Sequence, residues 1–171
     1  AYIEYVEDGE LPDGLSFLGA HPNLLVSRTF SKAYGLAALR VGYAISSPVI
    51  ADVLNRVRQP FNVNSLALAA ACAALDDQAY LIESRACNSA GMRQLEAEFK
   101  AMGLDWIPSR ANFIAVDFGR DAAPINQSLL RDGVIVRPVA SYGMPTFLRV
   151  SIGTEAENAR FLEALHKALG H

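Results

Sequence analysis

Polar residues bracket short apolar runs at several points in the chain, and each run of about five residues predicts a strand. Asn23-Leu24-Leu25-Val26-Ser27 and Val41-Gly42-Tyr43-Ala44-Ile45 are such runs, and Ala1 to Tyr5 reads as the tail of another strand. Residues 7–16 carry glycine, proline and acidic side chains and read as a surface loop. Ser47-Pro48 supplies a cap residue and a first-turn proline for a helix that Pro60 ends. Ser65 to Leu75 is alanine- and leucine-rich and predicts a second helix, closed by Asp76-Asp77. Over Gln78 to Ala101, Leu81, Ile82, Leu95, Phe99 and Met102 recur at helical spacing, with Gly103 as the stop. This long helix reads as the link between two lobes. Beyond it, Leu104 to Ile107, Asn112 to Phe118, Val134 to Val136 and Phe147 to Ile152 predict strands, and Pro124 to Arg131 predicts a helix closed by Gly133. Thr154 and Glu157 have capping-box spacing before a last helix that runs to about Leu169.

The fold class read from this alternation is α/β, with a first part up to about Leu75 and a second, residues 76–171, made of the linking helix and a small α+β lobe. A length of 171 residues suits one domain or two small lobes, and 51% apolar against 19% charged residues is enough to bury a core. A net charge of −3 gives no electrostatic reason to expect nucleic acid or an anionic membrane as partner. Cys72 and Cys87 lie in helical patterns without metal-ligand spacing, so they read as small buried or half-buried apolar residues in a reducing, cytoplasmic setting. The apolar run from Leu66 to Leu75 is too short to span a bilayer, and the first residues do not have the pattern of a signal peptide. The opening Ala1-Tyr2-Ile3-Glu4-Tyr5, without an initiator methionine, reads as the start of a piece of a longer polypeptide.

Candidate chemistry concentrates between Thr29 and Tyr43, which reads as a strand-to-helix turn at a strand's carboxyl end, where open α/β sheets bind ligands. Thr29 and Ser31 can donate hydroxyl hydrogen bonds to a phosphate, backbone N–H groups of the turn can add to them, and Arg40 can bind the same group through two parallel bonds. The Lys32 amine can form a Schiff base with an aldehyde. Blander readings stand beside these. Lys32 taken alone is a solvated lysine, Arg40 a surface ion pair, Thr29 and Ser31 helix caps, and Tyr2 a half-buried strand tyrosine. Arg149 is the one polar residue in Leu-Arg-Val-Ser-Ile and must either face solvent or meet an anion. Asn62 and Asn64 are explained by turn chemistry. His21, His166 and His171 lack partners at ligand spacing, and residues 7–10 and Asp76-Asp77 read as solvated loop charges.

Thr-Phe-Ser-Lys-Ala-Tyr-Gly, with Arg40 eight positions after the lysine, resembles the cofactor-lysine signature of fold-type I enzymes that use pyridoxal 5′-phosphate. Four further stretches resemble the histidinol-phosphate aminotransferase family, in family order: Phe61-Asn62-Val63-Asn64-Ser65, Ala111-Asn112-Phe113-Ile114, Gly133 to Pro138, and Tyr142-Gly143-Met144-Pro145 with Leu148 to Thr154. One departure is Ala38, where relatives commonly carry glycine. The resemblance implies that the chain is the C-terminal half of a subunit. Residues 1–75 would then be the last part of a large, mainly parallel pyridoxal-phosphate-binding domain. It makes Lys32 the catalytic residue and Tyr2, Thr29, Ser31, Lys32 and Arg40 the cofactor-binding set, with Tyr2 bonding the cofactor's phenolic oxygen. An aspartate that pairs with the pyridine nitrogen would lie about two positions before Ala1. It assigns Arg149 to a substrate carboxylate, Arg137 to the far end of the substrate, at its phosphate, and Asn62 to the active-site mouth. The implied reaction moves an amino group between L-histidinol phosphate and 2-oxoglutarate, in a homodimer. Aromatic aminotransferases and threonine-phosphate decarboxylases are the neighbouring alternatives, and a catalytically silent folded fragment is the alternative outside enzymology.

Overall fold

The computed structural model describes residues 1–6, 9 and 11–170, so the acidic residues Glu7, Asp8 and Glu10, and His171, lie outside the described residues. The chain divides into two compact units, Ala1–Arg85 and Ala86–His171.

In the first unit, Ile3–Tyr5 is a 3-10 turn and not the strand tail expected from its sequence. Tyr5 N–H donates to Tyr2 O at 3.0 Å and Val6 N–H to Ile3 O at 3.0 Å, so local bonds satisfy donors that a strand would have to pair with a neighbour. Inside the expected loop, Gly14–Phe17 forms a second such turn, capped by Asp13, which accepts from Leu15 N–H at 2.9 Å. Asp13 also accepts from the Arg28 guanidinium. The Leu15 N–H first, and Arg28 after it, hold its carboxyl below the usual carboxylate range.

Strand β1 (Leu25–Thr29) pairs antiparallel with β2 (Gly42–Ser46), Thr29 facing Gly42. Every ladder among the described residues is antiparallel, and β1 and β2 are joined without the helical crossover that a parallel pair needs. Helix α1 (Pro48–Val57) starts at the expected proline, although Ser47 Oγ donates to Pro22 O at 3.1 Å and does not cap the helix. Helix α2 (Ser65–Asp76) is capped by Asn64, whose Oδ1 accepts from Ala67 N–H at 2.8 Å. Its small residues Ala67 and Ala71, one helical turn apart, pack on Phe30 and Val41 to form this unit's core. Leu66 and Leu68 stay 76% and 53% exposed. Cys72 and Cys87 are both exposed, contrary to the sequence expectation; Cys72 lies off the Ala67–Ala71 stripe that buries α2.

Helix α3 (Gln78–Ala101) has the predicted bounds and crosses from one unit into the next. Gly103, at φ 70°, ends it in a left-handed turn with Leu104 N–H bonded to Phe99 O at 2.9 Å. The second unit holds a sheet of order β3-β4-β6-β5, with β3 Asp105–Ile107, β4 Phe113–Asp117, β5 Arg137–Pro138 and β6 Phe147–Ser151. Helices α4 (Ala123–Arg131) and α5 (Glu155–Leu169) complete it. Period-two alternation sends Ile114, Val116, Leu148 and Val150 into one core with Leu95 and Phe99 of α3, Leu129 of α4, and Phe161 and Leu165 of α5. The other face, with Phe113, Ala115, Phe147 and Arg149, remains only half buried. Val134–Val136 is not the strand expected. Val134 N–H is taken by Leu129 O at 2.9 Å as the chain leaves α4, and the ladder begins at Arg137.

The predicted capping box is present: Glu157 N–H donates to Thr154 Oγ1 at 3.4 Å and Thr154 N–H to Glu157 Oε2 at 2.8 Å. The Thr154 backbone bond keeps the Glu157 carboxyl below its ordinary pKa. Next to it, buried Asn158 accepts from Gly153 N–H at 3.0 Å and donates to Gln94 Oε1 at 3.1 Å, tying the end of β6 to α3. Gly91 faces this knot. A Cβ there would lie 2.6 Å from Ile152 Cγ2, 2.7 Å from Asn158 Nδ2 and 3.0 Å from Gly153 O. Gly91→Ala should therefore lower the urea midpoint: overpacking at about 1–3 kcal/mol outweighs a helix-propensity gain of about 1 kcal/mol. A raised midpoint would show that the knot yields easily.

Candidate functional site

The turn between β1 and β2 is rooted by its apolar residues and presents its polar ones. Phe30 and Ala33 are 3% and 1% exposed, whereas Lys32 between them is exposed and Ser31 half-buried. Phe30 packs against the tilted rings of Tyr34 and Tyr43 at ring separations of 5.0 and 5.7 Å, which fixes the first corner. Gly35 N–H closes on Lys32 O at 2.9 Å and Leu36 N–H on Phe30 O at 2.9 Å. The turn then passes through a 3-10 segment, Ala37–Leu39, and re-enters the ladder at β2. It is thus a strand-to-strand turn and not the strand-to-helix turn read from the sequence, because Arg40 adopts the left-handed conformation (φ 54°, ψ 48°) and breaks any helix there. Ala38 accordingly sits in that 3-10 segment.

Four of the five cofactor candidates share this turn. Ser31 N–H donates to Thr29 Oγ1 at 3.1 Å, and Arg40 Nη1 lies 3.5 Å from Ser31 Oγ. Both hydroxyl oxygens act as acceptors inside the turn, so their O–H groups are left to donate outward. Arg40 Nη1 also donates to Ala37 O at 2.8 Å, which aims the guanidinium across the turn. The N–H groups of Ser31, Gly35 and Leu36 are used within the turn, so the expected backbone contribution to an anion is smaller than the sequence suggested. Lys32 Nζ lies 5.8 Å from the ring centroid of the fifth candidate, Tyr2. A primary amine on the same turn as two hydroxyl donors and a guanidinium suits a phosphate monoester that carries an aldehyde.

Sequence reasoning passed over Glu4, Tyr5 and Tyr34. The Tyr34 hydroxyl is held above its ordinary pKa by burial and then by the Glu4 carboxylate. Tyr5 is shifted the same way by burial, against a hydrogen bond from Ser84. Glu4 Oε2 is buried with no hydrogen-bond partner among the described residues. The Tyr-Ile-Glu-Tyr spacing was visible in the sequence, but only the 3-10 turn places Glu4 near Tyr34.

The remaining candidates divide differently. Asn64 is a helix cap, as turn chemistry had it, while exposed Asn62 accepts from Arg58 Nη1 at 3.3 Å. In the second unit, Arg137 and Arg149 are direct cross-strand partners on β5 and β6. Arg149 Nε is buried without a hydrogen bond, its guanidinium lies over Phe113 at 4.8 Å from the ring centroid, and Arg137 Nη2 lies 3.3 Å from Tyr142 Oη. Two permanent positive charges side by side suit an anion. Among the described residues, no group of His, Cys, Asp and Glu could hold a metal ion, and no single helix is long and apolar enough to cross a membrane.

The model of the family described as aminotransferase class I and II matches residues 1–165. The chain is 76% identical over 169 residues to histidinol-phosphate aminotransferase 2 of Pseudomonas fluorescens, covering 99% of this chain and 46% of that protein. It is 74% identical over 171 residues to histidinol-phosphate aminotransferase 2 of Pseudomonas aeruginosa, covering 100% of this chain and 46% of that protein. The crystal structure of histidinol-phosphate aminotransferase from Sinorhizobium meliloti in complex with pyridoxal-5′-phosphate matches with a TM-score of 0.89 at 35% identity, covering 99% of this chain and 47% of that one. The chain spans about half the length of the curated relatives it matches, 46% of the two Pseudomonas proteins.

Proposed function

Because the chain belongs to the aminotransferase class I and II family, we propose that the complete subunit moves an amino group between L-histidinol phosphate and 2-oxoglutarate, in histidine biosynthesis, with pyridoxal 5′-phosphate as cofactor. The fold is the α/β fold of fold-type I aminotransferases. The observation that carries the reading is Lys32 presented on a turn whose hydroxyls and guanidinium converge.

In this reading Thr29, Ser31 and Arg40 bind the cofactor phosphate, and Tyr2 donates to its phenolic oxygen. The bound cofactor supplies an aldehyde for the amino group and an electron sink for the substrate α-carbon. Lys32 Nζ would hold the cofactor through its aldehyde and would serve as the general base that moves a proton at the substrate α-carbon. Arg149 orients a substrate carboxylate, Arg137 meets the substrate's far end, and exposed Asn62 borders the mouth. The enzyme works in the cytoplasm as a homodimer. Apolar side chains left outside the first unit's core support further covering protein, with Phe61 97%, Leu66 76%, Val49 75% and Val57 72% exposed.

The test is glutamate-dependent turnover of imidazole acetol phosphate by the complete subunit, run beside the 171-residue chain. The complete subunit should turn over and the isolated chain should show little or no transamination. Carbon dioxide release from threonine phosphate, or an aromatic amino donor strongly preferred to histidinol phosphate, would replace this substrate assignment.

A further inference from the structure

Arg137 and Arg149 face each other directly on adjacent strands, and like charges in that position destabilise a ladder. Among the described residues neither arginine has an ion-pair partner. Each arginine instead contacts an aromatic side chain. Phe113 pairs with Ser151, two residues beyond Arg149, so its ring is the diagonal neighbour on the same face. Ala115, directly opposite Arg149, is too small to push the guanidinium away, and Arg149 lies over the Phe113 ring at 4.8 Å. Tyr142, on the turn after β5, offers its hydroxyl to Arg137 Nη2 at 3.3 Å.

We propose that Phe113 and Tyr142 are positioning residues for this arginine pair, and so determinants of how tightly the anionic substrate binds. The inference rests on reading Arg149 and Arg137 as substrate-binding groups. A carboxylate in either place would fix the arginine but neutralise it, and would compete with the incoming anion. A ring face and a neutral hydroxyl fix its direction and leave its full charge for the ligand. The cost of holding two cations side by side is carried by the fold in advance, and an anion bridging them relieves it.

The experiment uses the complete cofactor-loaded subunit, with steady-state kinetics and calorimetric titration of inorganic phosphate for Phe113→Leu, Phe113→Tyr, Tyr142→Phe and Arg149→Ala. Phe113→Leu should raise KM for glutamate, whose carboxylate Arg149 holds in this reading, by about threefold to thirtyfold, the range of a cation–ring contact, with kcat little changed. Phe113→Tyr, which keeps the ring, should restore KM. Tyr142→Phe removes one exposed oxygen, leaves folding alone, and should raise KM for the phosphorylated amino substrate, whose far end Arg137 meets, by about threefold. Phosphate affinity should weaken in parallel with KM. Unchanged KM and phosphate affinity in both Phe113→Leu and Tyr142→Phe, while Arg149→Ala weakens both, would overturn the proposal alone. Equal losses in Phe113→Leu and Phe113→Tyr, falling on kcat, would also overturn it. If Arg149→Ala itself changes neither quantity, the substrate-binding reading beneath the proposal falls too.

Discussion

Lys32→Ala in the complete subunit is expected to abolish transamination and, with it, the visible absorption band that the wild-type protein develops with pyridoxal phosphate. The band depends on a carbon–nitrogen double bond, and Lys32 Nζ is the amine presented on the turn. Loss of the proton-transfer role alone is worth about 10²–10⁴-fold, and loss of covalent attachment adds to it. The cofactor phosphate should nevertheless be held, because Thr29, Ser31 and Arg40 make their contacts to one another without the lysine side chain. Equilibrium dialysis should therefore find cofactor binding in Lys32→Ala that Arg40→Ala weakens. A band that survives Lys32→Ala would move the covalent role to another amine.

Arg149→Ala should lower kcat/KM on the order of 10- to 150-fold, the value of one charge-assisted hydrogen bond to substrate. Stability should change little. The substitution loses the contact with Phe113 but also removes one of two like charges facing across the ladder, and these terms are of similar size, about 0.5–1 kcal/mol each. Arg149→Lys should recover only part of the activity, since an ammonium cannot present two parallel donors. Steady-state kinetics together with thermal melts separate the cases. A large drop in melting temperature with unchanged kcat/KM would make Arg149 a structural residue.

Legibility in the sequence followed the range of the interactions involved. Helix α3, in its approximate bounds, and the Thr154–Glu157 box were readable because their determinants lie within one or two helical turns. The lysine turn was readable as chemistry but not as shape. A left-handed non-glycine residue such as Arg40 has no sequence signal, so a helix was expected where the chain turns back into β2. Val134–Val136 carries every sign of a strand, yet the donor it needed is claimed by the exit of α4. Cys72 was misplaced because an alanine-rich helix is apolar all round, and composition alone does not say which stripe is buried. Phe113 was visible inside a family-like segment but had no role, since its relation to Arg149 exists only through a register between strands more than thirty residues apart.

That register limits the length of β6 as firmly as its composition. Along Phe147–Ser151, Leu148 and Val150 point into the core and Arg149 points away from it. Inserting or deleting a single residue would exchange the two sets, driving a guanidinium among Ile114, Val116 and Leu165 while exposing two aliphatic side chains. Point substitutions in this strand can be graded, but changes of reading length cannot. In laboratory evolution of the enzyme, tolerated insertions should stop short of β6.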